Sequence, residues 1–302
     1  MTDRAHRTIA IGDGIIDVVD RDGATPSRHA GGAALNIAVG LARLGTASSL
    51  IANVGHDRDG FWLRDYLRRN RVEFVETPTV EFTGVATSVR VNGEPSYSFT
   101  APMHRRRINF TSLTHAAVVG AGAVVVNSFP LDNAAQTEEL LRSYSASAGM
   151  RVVDPNPRPA IVLDAAAYRS GFEALVPHSD LVKVSDEDAQ FLFDRSVDEV
   201  AVHLLDLGAR TVLLTRGAEG ASYRGADGMH VDVPIAFMPD PVVDTLGAGD
   251  ATLATVVAGL LRADSRPDAD VVRTVLARAM RVAAATCRVS GGLLQDPDSK
   301  RA

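Results

Sequence analysis

Short apolar runs rich in β-branched residues alternate with helical stretches along most of this sequence. The runs Val124–Asn127, Leu181–Val184 and Thr211–Thr215 are examples, and amphipathic patterns separate them. A strand that is buried on both faces shows no alternation of polar and apolar residues, so such runs are typical of parallel sheets covered by helices on both sides. The pattern therefore predicts an α/β domain with a mainly parallel central sheet. Within it, Asp59 is the expected cap of a helix over Gly60–Asn70.

The stretch Gly84–Thr100 breaks this rhythm, because its apolar residues alternate with a period of two. Asn92 and Gly93 lie inside it and favour a tight hairpin turn. A second strand-like run, Ile15–Val19, is followed by a polar loop. We expect these two segments to pair into a small β structure beside the main sheet.

The composition excludes several classes of protein. The chain of 302 residues has a formal net charge of −6, whereas a general nucleic-acid binder needs an excess of Lys and Arg. Its one tight basic run, Arg105–Arg107, is interpreted as a solvated face. The single cysteine, Cys287, allows no intramolecular disulfide, which fits a reducing cytoplasm. With no apolar segment suited to a signal peptide or a membrane helix, we expect a cytoplasmic protein with no nucleic acid or membrane as partner.

The stretch Val243–Ala251 (VDTLGAGDA) carries the strongest chemical signal. Gly247, Ala248 and Gly249 stand just before a long helical pattern. Small residues there let several backbone N–H groups face one point, where the helix dipole favours an anion. Asp250 follows, and a carboxylate beside such a group of amides suits phosphoryl transfer to a hydroxyl. An ordinary glycine-rich turn with an aspartate cap explains the same residues, so this motif alone leaves both interpretations open.

A second set of small residues opens the helical pattern that begins at Ala33. Gly31 and Gly32 precede it and Asn36 lies one turn inside it, which suits a pocket where a polyhydroxy ligand approaches the backbone. Asp17, near the end of its strand, offers a carboxylate to ligand hydroxyls. Taken singly, a local bond to the helix start also explains Asn36, and a turn or cap also explains Asp17.

Three further loops follow predicted strands, at the edge where open α/β sheets bind their ligands. They are Asp154–Arg158 (DPNPR), Lys183–Asp188 (KVSDED) and Thr215–Gly220 (TRGAEG). The sequence contains no GxxxxGK[ST] loop, no HExxH zinc motif and no GxSxG nucleophile motif. Gly12 and Gly14 lack the third glycine of a dinucleotide fingerprint, so an NAD-linked dehydrogenase is a weak alternative.

In this order, the segments resemble the ribokinase-like (PfkB) family of carbohydrate kinases. The first family signature is similar to Gly31–Ala38 followed by Gly45 and Gly55, and the second is similar to Asp244–Asp250. The resemblance extends from about Ile9 to Gly292. It implies a three-layer α/β/α domain with a mainly parallel central sheet and a small β lid over the sugar site. The implied boundaries are 13–30 and 83–108 for the β lid, and 1–12, 31–82 and 109–302 for the main domain.

The resemblance also implies functional roles for the residues at matching positions. The implied catalytic base is Asp250, and the implied anion hole consists of Gly247, Ala248 and Gly249. The implied sugar contacts are Asp17, Gly32, Asn36 and Arg158, and the implied nucleotide site consists of Lys183, Ser185, Thr215, Gly217 and Gly220. For metals, the resemblance implies Asp188 as a magnesium-site carboxylate, and Asp244 with the carbonyl of Leu246 as ligands of a monovalent cation such as K⁺. The sequence departs from the family where Ser185 and Asp188 stand in place of the usual Asn-x-x-Glu. Asp188 keeps the negative charge of the usual glutamate but has a shorter side chain, so it reaches less far toward the magnesium ion and the phosphates.

The expected activity is that of an ATP-dependent sugar kinase with Mg²⁺, and fructose is the first substrate to test because of the KVSDED and GGAALN segments. A 2-keto-3-deoxygluconate kinase is the next alternative, since Arg158, Arg105 or Arg106 could bind the substrate carboxylate. Ribose or a nucleoside is a further alternative. From a different class, a sugar-binding regulator without turnover also fits the fold. The family resemblance further suggests a homodimer formed through the β lid.

Overall fold

A nine-stranded sheet forms the centre of the computed structural model, which describes residues 7–20, 25–91, 94–263 and 267–299. The strands, in chain order, are β1 (Thr8–Gly12), β2 (Ile15–Asp20), β3 (Ser27–Gly31), β4 (Ser48–Ala52), β5 (Glu73–Phe74), β6 (Val85–Val91), β7 (Glu94–Phe99), β8 (Ala123–Asn127), β9 (Met150–Asp154), β10 (Leu181–Ser185), β11 (Thr211–Thr215), β12 (Ala221–Gly225) and β13 (His230–Val233). The central sheet has the order β13-β12-β11-β10-β9-β8-β1-β4-β5. It is parallel from β11 to β5, and β12 and β13 add an antiparallel hairpin at one edge. The predicted mainly parallel sheet is confirmed.

Helices cover both faces of this sheet. They are α1 (Ala33–Arg43), α2 (Arg58–Arg69), α3 (Ala101–His104), α4 (Ser112–Val119), α5 (Ala134–Tyr144), α6 (Ala165–Leu175), α7 (Asp186–Phe193), α8 (Val197–Asp206), α9 (Ala248–Leu261) and α10 (Ala269–Thr286). Helix α9 packs on α1 and α10 on one face, whereas α4 to α8 pack in succession on the other. None of the helices within the described ranges is long and apolar enough to cross a membrane.

Buried side chains of the central strands point alternately to two hydrophobic cores. In β1, Ala10 belongs to the core under α1 and α9, whereas Ile9 and Ile11 belong to the core under the opposite helices. In β11, Leu213 belongs to the core under α1 and α9, and Leu214 belongs to the core under the opposite helices. This two-sided burial explains why the strands are continuously apolar, and it establishes the three-layer α/β/α architecture.

The strands β3, β2, β6 and β7, in that order, form a separate four-stranded sheet. Strand β2 pairs with β6 in parallel, and the outer pairs are antiparallel. Strands β2, β6 and β7 come from the two segments that the sequence set apart from the main pattern. The expectation of a polar loop after Ile15–Val19 is wrong in part, because β3 begins at Ser27 and pairs with β2. The predicted Asn92-Gly93 turn lies outside the described residues.

Two further details differ from the sequence expectations. We expected Asp59 to cap α2, but Asp57 is the cap residue and its Oδ1 accepts a hydrogen bond from the N–H of Gly60 at 2.7 Å. Asp59 instead pairs with Arg28. The β12–β13 hairpin was not predicted, because polar residues such as Arg224 interrupt its apolar pattern.

Candidate active site

The carboxyl ends of neighbouring parallel strands bring the candidate residues to one edge of the sheet. Gly12 of β1 is in register with Asn127 of β8, and Asn127 is in register with Asp154 of β9. Ser185 of β10 is likewise in register with Thr215 of β11. Residues at the ends of five adjacent strands therefore lie along one edge of the sheet, where open α/β sheets place their ligands.

Asp250 lies in the first turn of α9, directly after the turn that contains Gly247. Gly247 has a φ of 76°, and a Cβ atom there would lie 2.0 Å from the carbonyl oxygen of Gly292, so only glycine fits. The first N–H groups of a helix have no acceptor within the helix. The turn thus directs the amides of Gly249 and Asp250 and the positive end of the helix dipole to the same place.

The carboxylate of Asp250 is buried and held by two side-chain amides. Its Oδ2 accepts a hydrogen bond from Asn36 Nδ2 at 2.9 Å, and its Oδ1 accepts one from Asn127 Nδ2 at 3.1 Å. Burial raises the pKa of Asp250, while the Asn36 amide, Arg158 and Lys183 act in the opposite direction. A raised pKa makes a carboxylate a better proton acceptor from a hydroxyl.

Asp17 of β2 is close to this carboxylate. Burial raises the pKa of Asp17 to about 7, partly opposed by Arg158 and reinforced by the charge of Asp250. A Cβ atom on Gly31 would lie 1.8 Å from Asp17 Oδ2, so the facing strand β3 leaves room for the carboxylate only because residue 31 is glycine. Asp17, Asn36, Arg158 and Asp250 thus form one polar group between the two sheets, and Gly32 begins α1 beside it.

A buried ion network lies behind the glycine turn. Lys183 Nζ is 3.2 Å from Asp154 and 3.3 Å from Asp188, and all three side chains are almost completely buried. Although burial acts to lower the pKa of Lys183, the two carboxylates outweigh it and raise that pKa, so the ammonium group stays charged. A Cβ atom on Gly249 would lie 3.7 Å from Lys183 Nζ, which places this cation next to the predicted anion hole.

The predicted nucleotide residues lie at the ends of β10 and β11. Ser185 caps α7 in a reciprocal arrangement: its hydroxyl accepts from the Asp188 N–H, and Asp188 Oδ2 accepts from the Ser185 N–H. Thr215 ends β11, and Gly217 and Gly220 follow in a short 3₁₀ turn and its cap. The structure therefore places these residues at the same edge of the central sheet as Asn127 and Asp154.

Neither predicted metal site is a closed cage of protein ligands. Among the residues that the structure describes, no three His, Cys, Asp or Glu side chains cluster closely enough to hold a metal ion. Asp188 Oδ2 is already engaged by Lys183 and by the Ser185 amide. Asp244 accepts hydrogen bonds from the N–H groups of Leu246 at 3.0 Å and Gly291 at 3.3 Å. Mg²⁺ is commonly bound by substrate phosphates together with one or two carboxylates rather than by a cage made only of protein ligands.

Sequence reasoning missed three polar residues at this edge. Asn127 contacts Asp250, and Asn156 donates to Asn127 Oδ1 at 2.9 Å. Asn127 stands at the end of a predicted strand, where open α/β sheets bind their ligands, so its position could have identified it as a candidate site residue. Asp13 pairs with Arg106 Nη1 at 2.5 Å, and the Arg106 side chain is only 8% exposed. The interpretation of the basic run as a solvated face is therefore wrong for Arg106, although it holds for Arg105, which is 59% exposed.

Comparisons with known proteins show which family the chain belongs to. The model of the pfkB family carbohydrate kinases matches residues 6–298. A fructokinase of Rhizobium leguminosarum bv. trifolii is 30% identical over 263 residues, which are 83% of this chain and 79% of that protein. An ATP-dependent 6-phosphofructokinase of Thermoanaerobacterium thermosaccharolyticum is 25% identical over 273 residues, covering 86% of this chain and 83% of that protein.

A solved fructokinase from Vibrio cholerae O395, a double mutant with fructose, ADP and a potassium ion bound, has the same fold. Its TM-score is 0.82 at 22% identity, with 97% of this chain and 96% of that chain covered. The family match spans both signature motifs and all the candidate site residues named above. The chain therefore belongs to the pfkB family of carbohydrate kinases, and it is an ATP-dependent sugar kinase that resembles fructokinases.

Proposed function

We propose that the protein transfers the γ-phosphoryl group of ATP to a primary hydroxyl of fructose. The observation that carries this proposal is the buried Asp250 carboxylate, aligned by two amides beside the N-terminus of α9. The similarity to the Rhizobium fructokinase supports fructose as the first substrate. Asp17, Gly32, Asn36 and Arg158 are the proposed sugar contacts.

In the proposed reaction, Asp250 accepts the proton of the sugar hydroxyl while the oxygen bonds to the γ-phosphorus. The bond from that phosphorus to the β–γ bridging oxygen breaks, and ADP leaves with the bond electrons. The predicted anion hole of Gly247, Ala248 and Gly249 would stabilise the charge on the moving phosphoryl group. The N–H of Ala248 donates to the Thr245 carbonyl at 3.3 Å, so the amides of Gly249 and Asp250 are the proposed main donors. Lys183 adds a fixed positive charge behind this turn, because Asp154 and Asp188 keep it protonated.

Thr215, Gly217 and Gly220, together with Ser185 and Lys183, are the proposed rim of the nucleotide site. Mg²⁺ would reach this rim with the phosphates of ATP, and Asp188 is the proposed carboxylate of that network. The metal would supply charge neutralisation of the phosphates. The carbonyl of Leu246 and the carboxylate of Asp244 are proposed for a monovalent cation. The potassium ion in the Vibrio fructokinase structure supports this suggestion.

The pairing of two arginines supports a neutral sugar over an acidic one. Arg106 is occupied by Asp13 and by the Ser128 carbonyl, and Arg105 by Glu81 at 2.9 Å. A substrate carboxylate or phosphate at Arg105 or at Arg106 Nη1 would compete with these ion pairs. Arg106 Nη2 is buried without a hydrogen-bond partner in the described structure, so the substrate panel below includes acidic sugars to test this preference.

We further propose that the four-stranded sheet acts as a β lid over the sugar and that its edges pair with a second copy of the chain. Closing a lid excludes water and so limits wasteful ATP hydrolysis. Open sheet edges are available for pairing, which supports a homodimer. The single cysteine supports a cytoplasmic location.

A coupled ADP-release assay tests the substrate. The panel consists of fructose, 2-keto-3-deoxygluconate, ribose, a nucleoside and fructose 6-phosphate, each with ATP and Mg²⁺. We expect the highest kcat/KM with fructose. A higher value with another member would replace fructose as the substrate, and no turnover of any member would contradict the kinase proposal.

The variant Asp250→Asn separates a kinase from a sugar-binding regulator. Loss of the base is expected to lower kcat by about a thousandfold or more, while the fructose Kd from calorimetry changes by less than about fivefold. Asp65→Asn, at an exposed ion pair on α2, is the matched control and should keep full activity. Wild-type protein that binds fructose without turnover would favour the regulator.

A further inference from the structure

Asn127 ends β8 with a side chain that is fully buried. Its Nδ2 lies 3.1 Å from Asp250 Oδ1 and 3.4 Å from Asp154 Oδ2. One amide group therefore bridges two carboxylates at the base of the cleft. Two negative charges this close repel each other, so a donor between them stabilises both.

A second asparagine determines which way the Asn127 amide faces. Asn156 Nδ2 donates to Asn127 Oδ1 at 2.9 Å, so the oxygen points to Asn156 and the nitrogen points to the carboxylates. The opposite orientation would place Asn127 Oδ1 against Asp250 and leave the Asn156 donor facing another N–H₂ group. Asn156 thus selects the productive orientation.

The backbone around these two asparagines is unusual. Asn156 has a φ of 36° and Ser128, next to Asn127, has a φ of 52°, and left-handed backbone is costly for residues other than glycine. Ser128 is held there by its N–H, which donates to the Asp154 carbonyl at 3.3 Å, and by its hydroxyl, which donates to Asp13 at 3.1 Å. The surrounding contacts therefore hold the end of β8 in one conformation.

We propose that Asn127 is a positioning residue for phosphoryl transfer, holding the Asp250 carboxylate in a single ionised orientation, and that Asn156 orients Asn127. The inference rests on the proposed role of Asp250 as the base. Asn127 itself does not need to touch the sugar or ATP. Its effect on the reaction passes through Asp250.

The charges that face Asp250 determine what loss of Asn127 does. Arg158 and Lys183 favour the ionised form, and so does Asn36, whereas burial opposes it. The charges of Asp17 and Asp154 also oppose it, since each of these carboxylates interacts with Asp250. Removing one donor from this balance raises the pKa of Asp250 and frees its side chain to rotate.

The test uses Asn127→Leu, which keeps the shape of the side chain and removes the amide, together with Asn127→Ala. With fructose and ATP, we expect kcat at pH 7 to fall ten- to a hundredfold. A decrease of this size corresponds to the loss of about one charge-assisted hydrogen bond. The acidic limb of the kcat–pH profile should move upward by about one pH unit. The KM for fructose should stay within about threefold, because the proposed sugar contacts remain.

Asn156→Ala should move the same acidic limb upward by a smaller amount. The control is Gln136→Leu, which removes another buried carboxamide, one that accepts from the N–H of Ile108 at 2.8 Å outside the cleft. We expect this control to lower the melting temperature and to leave the pH profile unchanged. A folded Asn127→Leu enzyme with unchanged kcat and pH profile would overturn the inference. A raised KM alone would make Asn127 a sugar contact instead.

A measurement without turnover separates this inference from the proposed function. Carbon-13 NMR titration of the Asp250 carboxyl in the substrate-free protein should show a higher pKa in Asn127→Leu than in the wild type. An unchanged titration would contradict the positioning role even if the enzyme is active. Absence of kinase activity in the wild type, with the expected shift present, would contradict only the proposed function.

Discussion

Lys183 is almost completely buried between Asp154 and Asp188, and this triad neutralises charge directly behind the glycine turn of α9. A buried ammonium group without partners would lose its proton, and two buried carboxylates without a cation would take up protons. The three groups therefore depend on one another. A change to any of them is expected to affect both stability and catalysis.

Lys183→Met should destabilise the protein by about 3–5 kcal/mol, because it leaves two buried carboxylates without their cation. Urea unfolding measures the effect. The control is Arg142→Met, which breaks exposed pairs with Glu138 and Glu139 and should cost about 1 kcal/mol or less. Equal losses in the two variants would show that the buried network contributes no more than surface ion pairs.

Asp17 makes stability depend on pH in a defined window. Burial raises its pKa from 3.8 to about 7, so the folded protein binds this proton more tightly than the unfolded chain. Its contribution is complete below pH ~4 and is lost as the pH rises to about 7. Relative to the wild type, Asp17→Asn should gain stability across this window, by up to about 4 kcal/mol. Parallel curves of unfolding free energy against pH for the two proteins would contradict this.

At the scale of elements, the N-terminus of α9 depends on a close approach of two chain segments. Gly247→Ala puts a Cβ atom 2.0 Å from the Gly292 carbonyl oxygen at a φ of 76°. We expect a loss of about 3 kcal/mol or more and a kcat at least tenfold lower, because the turn must move. Gly228→Ala has a similar φ of 88° with open space around it, and should cost about 1 kcal/mol without affecting kcat. Equal effects would show that backbone strain alone matters.

The start of α2 connects the main domain to the second sheet. Asp57 caps α2 and also accepts hydrogen bonds from the N–H and hydroxyl of Thr83, just before β6. Asp57→Ala should therefore cost more than a single lost cap, about 2–3 kcal/mol by thermal unfolding. Asp164→Ala removes only the cap of α6 and should cost about 1 kcal/mol. A cost for Asp57→Ala no greater than that would show that the Thr83 contacts add nothing.

At the scale of the whole molecule, the proposed sugar site draws its residues from both sheets. Asp17 belongs to the second sheet, whereas Asn36 and Asp250 belong to helices on the central sheet. A ligand that binds both should reduce the relative motion of the two units. Fructose with an ATP analogue should slow hydrogen exchange in β2 and β6, measured by mass spectrometry, while strands of the central core change little. Unchanged exchange at saturating fructose would contradict the lid proposal.

Much of the architecture was predictable because its causes are local. The buried strands Val124–Asn127 and Thr211–Thr215 and the helix Asp186–Phe193 have patterns that a short window reveals. The cap of α2 was assigned to the wrong aspartate, since Asp57 and Asp59 are equally suitable by type and only the fold shows which one faces Gly60. The β12–β13 hairpin was missed because an edge strand needs no continuous apolar run.

The sequence by itself determined the fold class, the family and the glycine turn with its acid, because periodicity and contiguous motifs can be recognised without knowing which distant residues are in contact. Tertiary structure alone decided that Asn127 contacts Asp250 and is itself contacted by Asn156, that Arg106 is buried against Asp13, and that Lys183 is shared by two carboxylates. These contacts join residues far apart in the chain, up to 123 positions for Asn127 and Asp250. Burial and charge pairing depend on which strands become neighbours, and no short stretch of sequence contains that information.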